Sequence, residues 1–185
     1  LHLFKGTFTG YGEGFDLEDA PTRLQALIMF IRVLGEEEQA LAWSGTTPFK
    51  DIEKGSQAEH YVGYAYEKGY TNGYTATSFK PAGAVNAYQY TEFVLRAMGY
   101  SSAANKDLSD TLLRAVNAGV LTDGDTAMLQ SAAFLRAQLV YISYYALEAD
   151  LPDGSQSLAD RLMDLGVFTR DEWRGSWKLV KSEHL

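Results

Sequence analysis

Two stretches, 64 positions apart, share one pattern and decide the fold: FDLEDAPTRLQALIMFIRVLG at residues 15–35 and FKPAGAVNAYQYTEFVLRAMG at residues 79–99. Both begin with phenylalanine and end with glycine. Five aligned pairs are identical: Phe15 and Phe79, Ala20 and Ala84, Gln25 and Gln89, Arg32 and Arg96, Gly35 and Gly99. Self-similarity at a fixed spacing indicates repeated supersecondary units. The sequence therefore predicts a chain built from repeats.

A third, weaker copy lies further along the chain. A shift of 113 residues places Arg23-Leu24-Gln25 on Arg136-Ala137-Gln138. A glycine lies nine or ten residues before each aligned block, at Gly6, Gly69 and Gly119, and Gly166 offers a fourth such position. We therefore expect three degenerate units, each with a short helix, a glycine cap, a loop and a long helix.

The apolar spacing in each unit is helical. Short helices are predicted at about 57–68, 108–118 and 158–165. The first long helix has one apolar face, made of Leu24, Leu27, Ile28, Ile31 and Leu34. Thr22 with Gln25 predicts a capping box at its start, and Asn86 with Gln89 repeats that signature. The third copy has Leu135 in place of the capping residue. The predicted fold class is all-α.

The two ends of the chain complement each other. The chain starts without a short helix before its first long helix, and it ends with a short helix that no long helix follows. The simplest arrangement is a closed ring of three helix pairs around a pseudo-threefold core. The predicted units of this single domain, residues 1–185, are 1–48 completed by 155–185, then 49–104 and 105–154. Residues 36–50 and 100–106 are predicted loops.

Composition excludes several classes of protein. The net charge is −8, which opposes binding to nucleic acid or to a strongly anionic membrane. The chain has no cysteine, so it has no disulfide scaffold and no cysteine metal site. No apolar run approaches the roughly 20 residues of a membrane helix. The chain begins in mid-pattern and without a signal peptide, so we expect a fragment or a processed chain.

Nothing in the sequence singles out a catalytic or cofactor site. The three histidines, His2, His60 and His184, lack partners at metal-ligand spacing. Asp123-Gly124-Asp125 has too few ligands for a calcium loop. Neighbouring carboxylates such as Asp171 and Glu172 are too common to indicate a glycosidase pair. We therefore expect a protein that is not an enzyme and binds no cofactor or metal.

Several motifs in order resemble the S-layer homology family. They are Phe49-Lys50-Asp51-Ile52, Gly69-Tyr70-Thr71-Asn72-Gly73-Tyr74, Phe79-Lys80-Pro81 and Pro21-Thr22-Arg23-Leu24-Gln25-Ala26. The resemblance implies a three-repeat helical spindle that anchors an extracellular protein to the bacterial cell wall. It also implies grooves for a pyruvylated secondary cell-wall polysaccharide. The ligand residues it implies are Thr22, Arg23, Asp51, Asn72, Gly73, Tyr74 and Arg136.

The chain departs from the family pattern at the helix starts. Ala87 replaces the arginine in the second copy, Leu135 replaces the threonine in the third, and glutamine replaces the family's glutamate in all three. Arg23 is interpreted either as a ligand residue or as a solvated first-turn arginine, and Arg136 as mainly structural. Asp51 is expected mainly to cap the segment that follows it. Residues 70–74 are expected mainly to form a turn.

The sequence is compatible with two functions. The first is anchoring to cell-wall polysaccharide, and the second is a protein–protein interaction or spacer module whose glycan sites are degenerate. Three tryptophans, Trp43, Trp173 and Trp177, are candidate stacking platforms, although tryptophans in loops are more often partly buried. Both functions place the protein outside the cell, at the bacterial surface.

Overall fold

The structure is a computed structural model that describes residues 1, 3, 15–102 and 104–179. Gly6, His2 and His184 lie outside the described residues. The described part of the chain is all-α. Its helices are α1 (Arg23–Val33), α2 (Glu37–Ala42), α3 (Gln57–Glu67), α4 (Ala87–Met98), α5 (Thr111–Asn117), α6 (Asp123–Ser131), α7 (Arg136–Glu148), α8 (Leu158–Asp164) and α9 (Arg170–Leu179).

The core lies where α1, α4 and α7 pack against one another. Phe30 of α1 meets the edge of Tyr90 of α4, with ring centroids 6.0 Å apart. The Tyr90 hydroxyl bonds the Ser143 hydroxyl of α7 at 2.5 Å. On the predicted face of α1, Leu27 and Ile31 are fully buried and Leu24 is half-buried. One edge-to-face ring pair and one buried hydrogen bond therefore join the three long helices.

The short helices pack against the long helix that precedes them in the chain: α3 on α1, α5 on α4, and α8 on α7. Each short helix is followed by a glycine with positive φ: Gly69 at 76°, Gly119 at 73° and Gly166 at 75°. The glycine N–H and the next N–H bond carbonyls of the last helical turn in all three places. The predicted left-handed glycine caps are thus confirmed.

Helices α2, α6 and α9 were not expected from the sequence, and the prediction of a loop over all of residues 36–50 is wrong. Residues 36–50 are not all loop, because α2 occupies part of them, in a run of good helix formers rich in glutamate and alanine. Helix α6 starts at a capping box in which Thr122 and Asp125 bond each other's backbone N–H. Helix α5 begins three residues later than the predicted 108. Such short helices escape a search for long apolar stripes.

We propose that the C-terminal stretch completes the first unit. The buried side chains of α8, Leu158, Ala159 and Leu162, pack in the core. Just beyond α8, Val167 lies against Gly35, where an added Cβ would stand 2.5 Å from a Val167 methyl. The stretch therefore touches both α7 and the end of α1, as the closed three-unit arrangement requires.

Candidate functional site

A cleft of about 480 Å³ opens between the start of α1, one side of α4 and the segments that follow α3 and precede α5. The start of α1 contributes Arg23, the turn after α3 contributes residues 71–76, and α4 contributes one side. The segment before α5 closes the far end. The lining residues are Arg23, Tyr66, Thr71, Asn72, Gly73, Tyr74, Thr75, Ala76, Gln89, Glu92, Phe93, Arg96, Asn105, Lys106 and Leu108.

The turn after α3 is a rigid wall of the cleft. The buried Thr71 hydroxyl accepts the Gly73 N–H at 3.1 Å. Gly73 has φ 84°, and a Cβ there would overlap the Phe49 ring and the Thr75 carbonyl. The Tyr74 N–H donates to the Ser78 carbonyl at 2.8 Å. The backbone is therefore fixed, while the Tyr74 ring stays 50% exposed at the mouth.

Arg23 is buried, with 3% of its surface exposed, so of the two interpretations left open the solvated first-turn arginine is wrong. Its Nε donates to the Phe79 carbonyl at 2.8 Å. Its guanidinium lies over three rings, with centroid distances of 4.9 Å to Phe79, 5.6 Å to Phe93 and 5.8 Å to Tyr74. The Phe-x-Pro loop of the second unit thus meets the first helix and covers this arginine.

The outer edge of the Arg23 guanidinium is left open. No described residue accepts a hydrogen bond from Nη1 or Nη2, and no described carboxylate lies within 4.0 Å. Burial lowers the pKa of Arg23 to about 10, against the raising influence of Tyr74 and Asp51, so the group stays cationic at neutral pH. A buried cation without a carboxylate partner among the described residues is costly, which makes this position a candidate site for an anion.

Asp51 acts behind the cleft and does not line it. Its carboxylate accepts hydrogen bonds from the Ser78 hydroxyl at 2.7 Å, the Phe79 N–H at 2.9 Å and the Lys80 N–H at 2.8 Å. Burial opposes ionisation, but these three donors hold the pKa of Asp51 below its usual value. Asp51 therefore fixes the loop whose carbonyl receives Arg23, rather than capping the segment that follows it.

The far end of the cleft holds a buried ion network that the sequence reading missed. Glu92, 2% exposed, pairs with Arg96 at 2.8 Å and with Arg114 at 2.7 Å. The Ser101 and Thr111 hydroxyls also donate to its carboxylate. The cleft is lined by three cations, among them Arg96, and by one carboxylate, that of Glu92. It is therefore locally positive on a protein of net charge −8.

Gln89 does not complete the capping box that the sequence predicts for α4. Its predicted capping partner, Asn86, does accept the Gln89 N–H at 2.9 Å. The Gln89 side chain, however, lines the cleft, and its buried Oε1 has no hydrogen-bond partner among the described residues. In α1, by contrast, Gln25 completes the box with Thr22. Gln89 therefore lines the same cleft as Arg23, with its Oε1 buried.

The structure brings together only some of the predicted ligand residues. Arg23, Asn72, Gly73 and Tyr74 line the cleft. Thr22 only caps α1, and Arg136 lies elsewhere, 3.1 Å from Asp16 and 4.0 Å from Asp19. Of the remaining cleft groups, Gln89 and Arg96 belong to identical pairs of the repeat, but the repeat does not indicate that they line a cleft. Glu92 and Lys106 match no repeat motif.

Trp43 and His60 have structural contacts. The Trp43 ring covers Gly63, and its N–H donates to Glu67 at 2.7 Å, so it is no open platform. His60 bonds the Trp43 carbonyl at 2.6 Å. Among the described residues no three metal-ligating side chains come together. No described helix is both long and apolar enough to cross a membrane.

Comparisons with known proteins agree with this fold. Residues 48–86 match the family model of the S-layer homology domain. This stretch carries Asp51, the cleft turn and the Phe79-Lys80-Pro81 loop. The chain is also 29% identical over 170 residues to a cell surface protein of Thermoanaerobacter kivui, which covers 86% of this chain. The chain spans about a fifth (21%) of that relative's length.

These findings indicate a location at the cell surface or in the cell wall. They support a surface module of the wall-anchoring type, and the matched segment is of a non-catalytic kind. The all-α architecture and the position of the match within it agree with the resemblance drawn from the sequence. Residues 48–86 of this chain are therefore identified as an S-layer homology domain segment.

Proposed function

We propose that the protein anchors its parent chain to the cell wall by binding an anionic secondary wall polysaccharide in the cleft. The observation that carries this proposal is Arg23, a buried cation that lines the cleft and whose two terminal nitrogens have no hydrogen-bond partner among the described residues. A carboxylate substituent on a sugar would accept both donors in the forked geometry that arginine favours. The low exposure strengthens such a contact relative to one in water.

The neighbouring groups fit the rest of a sugar chain. The Gln89 side chain also lines the cleft and adds an amide group to its polar wall. The half-exposed Tyr74 ring offers a flat surface at the mouth, held in place by Lys80, whose Nζ lies 3.6 Å from the ring centroid. The positive far end near Lys106 would meet a second acidic group.

We extend the non-catalytic assignment of the matched segment to the whole chain.

The alternative is a protein-interaction or spacer module that has lost its glycan sites. Arg23 already supports the fold through Phe79, so its presence alone does not require a ligand. Ala87 stands at the aligned position of α4, and Arg136 of α7 is paired with aspartates. At most one of the three aligned positions therefore offers an open arginine.

Wall binding separates the two functions. Purified cell walls would be incubated with the protein before and after acid removal of the secondary polymer. We expect binding that disappears on stripping. No binding to either preparation would support the spacer alternative, and equal binding to both would exclude the secondary polymer as the ligand.

Matched variants locate the binding to the cleft. Lys106→Ala and Tyr74→Ala alter exposed cleft residues, and Lys54→Ala and Tyr141→Ala alter exposed residues outside it. We expect the cleft variants to weaken wall binding roughly three- to tenfold, as the loss of about 0.7–1.4 kcal/mol predicts. The control variants should bind like the unmodified protein. If all four variants bind alike, the cleft is not the site.

A further inference from the structure

Helix α9 begins at a capping box and packs against the core. Thr169 and Glu172 form a capping box, with the Thr169 N–H donating to Glu172 at 2.7 Å and the Glu172 N–H donating to the Thr169 hydroxyl at 3.2 Å. Trp173 packs against Tyr144 of α7 at 5.8 Å and against Phe168 at 5.9 Å between ring centroids. The helix is therefore seated on the core through one tryptophan.

One turn further on, Trp177 is 59% exposed. Residues three and four apart share a helix face, so Trp177 follows Trp173 outward along one side of α9. Between Trp173, Arg174, Trp177 and Lys178 lies an open hollow of about 450 Å³. The exposed Trp177 indole thus lies one helical turn beyond the partly buried Trp173 and offers a flat contact surface.

A row of cations borders this indole. Arg170, Arg174 and Lys178 follow one another at intervals of four residues and so lie on one face. No described carboxylate is within 4.0 Å of Arg174 or Lys178, and Arg170 has only an exposed contact with Asp160 at 3.8 Å. On a protein of net charge −8, this aromatic and basic strip is complementary to an acidic partner.

We propose that this strip, residues Arg170, Trp173, Arg174, Trp177 and Lys178, binds an anionic polysaccharide. The face of a sugar ring stacks on the exposed indole, and its acidic substituent bonds Arg174 and Lys178. One exposed indole offers little apolar surface to a bilayer, which argues against a lipid partner. The strip shares no residue with the cleft and does not rest on the function proposed there.

Three soluble polymers separate the chemical requirements. Polygalacturonate carries a ring and a carboxylate, dextran a ring without charge, and polyphosphate a charge without a ring. The full chain would be titrated with each, in the Lys106→Ala background to reduce any contribution from the cleft, and followed by tryptophan fluorescence. We expect binding to polygalacturonate that weakens with salt, and at least tenfold weaker binding to the other two.

Variants on and off the strip complete the test. Trp177→Ala and Lys178→Ala should each weaken binding to polygalacturonate roughly three- to tenfold, while Trp177→Phe should retain most of the affinity. Tyr141→Ala and Lys54→Ala, both exposed and off the strip, should change nothing. Unchanged binding by Trp177→Ala would overturn the proposal. So would equal affinity for polyphosphate, or tighter binding to phosphatidylglycerol vesicles than to the polysaccharide.

Discussion

The starts of α1 and α7 are built alike, but their arginines have different surroundings. The N–H groups of Arg23 and Leu24 donate to the carbonyls of Gly83 and Pro81 at 2.9 and 3.1 Å. The N–H groups of Arg136 and Ala137 donate to Asp19 and Leu17 at 2.9 and 3.0 Å. These acceptors are 64 positions apart in sequence, as the repeat alignment requires. In both places a loop that follows a phenylalanine docks on the first turn of a helix.

The difference lies in one loop residue. Lys80 and Asp16 are aligned, and both have positive φ, 57° and 43°. Asp16 pairs with Arg136 at 3.1 Å, whereas Lys80 lies over the Tyr74 ring and leaves Arg23 without a carboxylate. The same scaffold therefore either neutralises its arginine or holds it open. We propose that the loop residue, rather than the helix motif, decides which arginine is free to bind an anion.

The comparison assumes that both helix starts belong to one closed core, and a truncation tests this most strongly. Deleting residues 154–185 removes α8 and exposes the face of α7 beneath it. Because two fully buried leucines are lost, each worth about 2–5 kcal/mol, we expect the whole domain to lose cooperative melting. Circular dichroism during heating measures this.

A point-mutant pair controls for the size of the deletion. Leu162→Ala, at a buried position, should cost about 2–5 kcal/mol, and Leu165→Ala, at a position 65% exposed, about 0.5 kcal/mol or less. A truncated chain that melts like the full one would show that the C-terminal stretch does not complete the core.

The two arginines should also differ in their contribution to stability. Arg23→Ala leaves the Phe79 carbonyl without its donor and empties a space among three rings, so we expect a loss of about 2–4 kcal/mol. Arg136→Ala should cost less, about 1–2 kcal/mol, because Asp16 is 45% exposed and regains water. Urea unfolding of the two variants measures the difference. Equal losses would mean that the two environments are energetically alike.

Exchanging the loop residue should convert one site into the other. Lys80→Asp places a carboxylate at the aligned position of Asp16, in a backbone conformation that aspartate tolerates. If that carboxylate pairs with Arg23, binding to unstripped walls should fall roughly tenfold, which corresponds to about 1.4 kcal/mol. Lys50→Asp, an exposed lysine outside the cleft, is the control for the change in charge. Unchanged wall binding by Lys80→Asp would contradict the role given to the loop.

The fold was largely predictable from sequence, because glycine caps and apolar stripes are local signals. Thr22 and Gln25 also correctly predicted the capping box of α1. The burial of Arg23 was not predictable, since it depends on a loop 56 residues away in the chain. In the salt network of Glu92 only the pair with Arg96 is local, and the contact with Arg114, 22 residues away, depends on how α5 packs on α4. Which arginine stays open depends on Lys80 and Asp16, whose roles appear only when the loops dock.

Substitution of Asp51 should have the smallest effect on the Arg23 site, because Asp51 acts on Arg23 only through the Phe79 loop. The folded state lowers the pKa of Asp51, so its contribution to stability is present above the ordinary pKa of 3.8 and is lost as the pH falls below it. Asp51→Asn should therefore cost about 1 kcal/mol at pH 7, a value discounted for the exposure of the carboxylate. The two proteins should converge in stability as the pH falls below 3.8. Urea unfolding across this range measures the convergence.

Wall binding at pH 7 distinguishes positioning from simple stability. Asp51→Asn loosens the loop that carries the Phe79 carbonyl, so Arg23 loses its fixed orientation and binding should weaken two- to fivefold, by roughly 0.4–1 kcal/mol. Asp107→Asn is the matched control, because that carboxylate also has a lowered pKa but bonds only its own turn at Ser109. It should leave wall binding unchanged. If both variants weaken binding equally, Asp51 does not position Arg23, and the open arginine owes its geometry to the ring contacts alone.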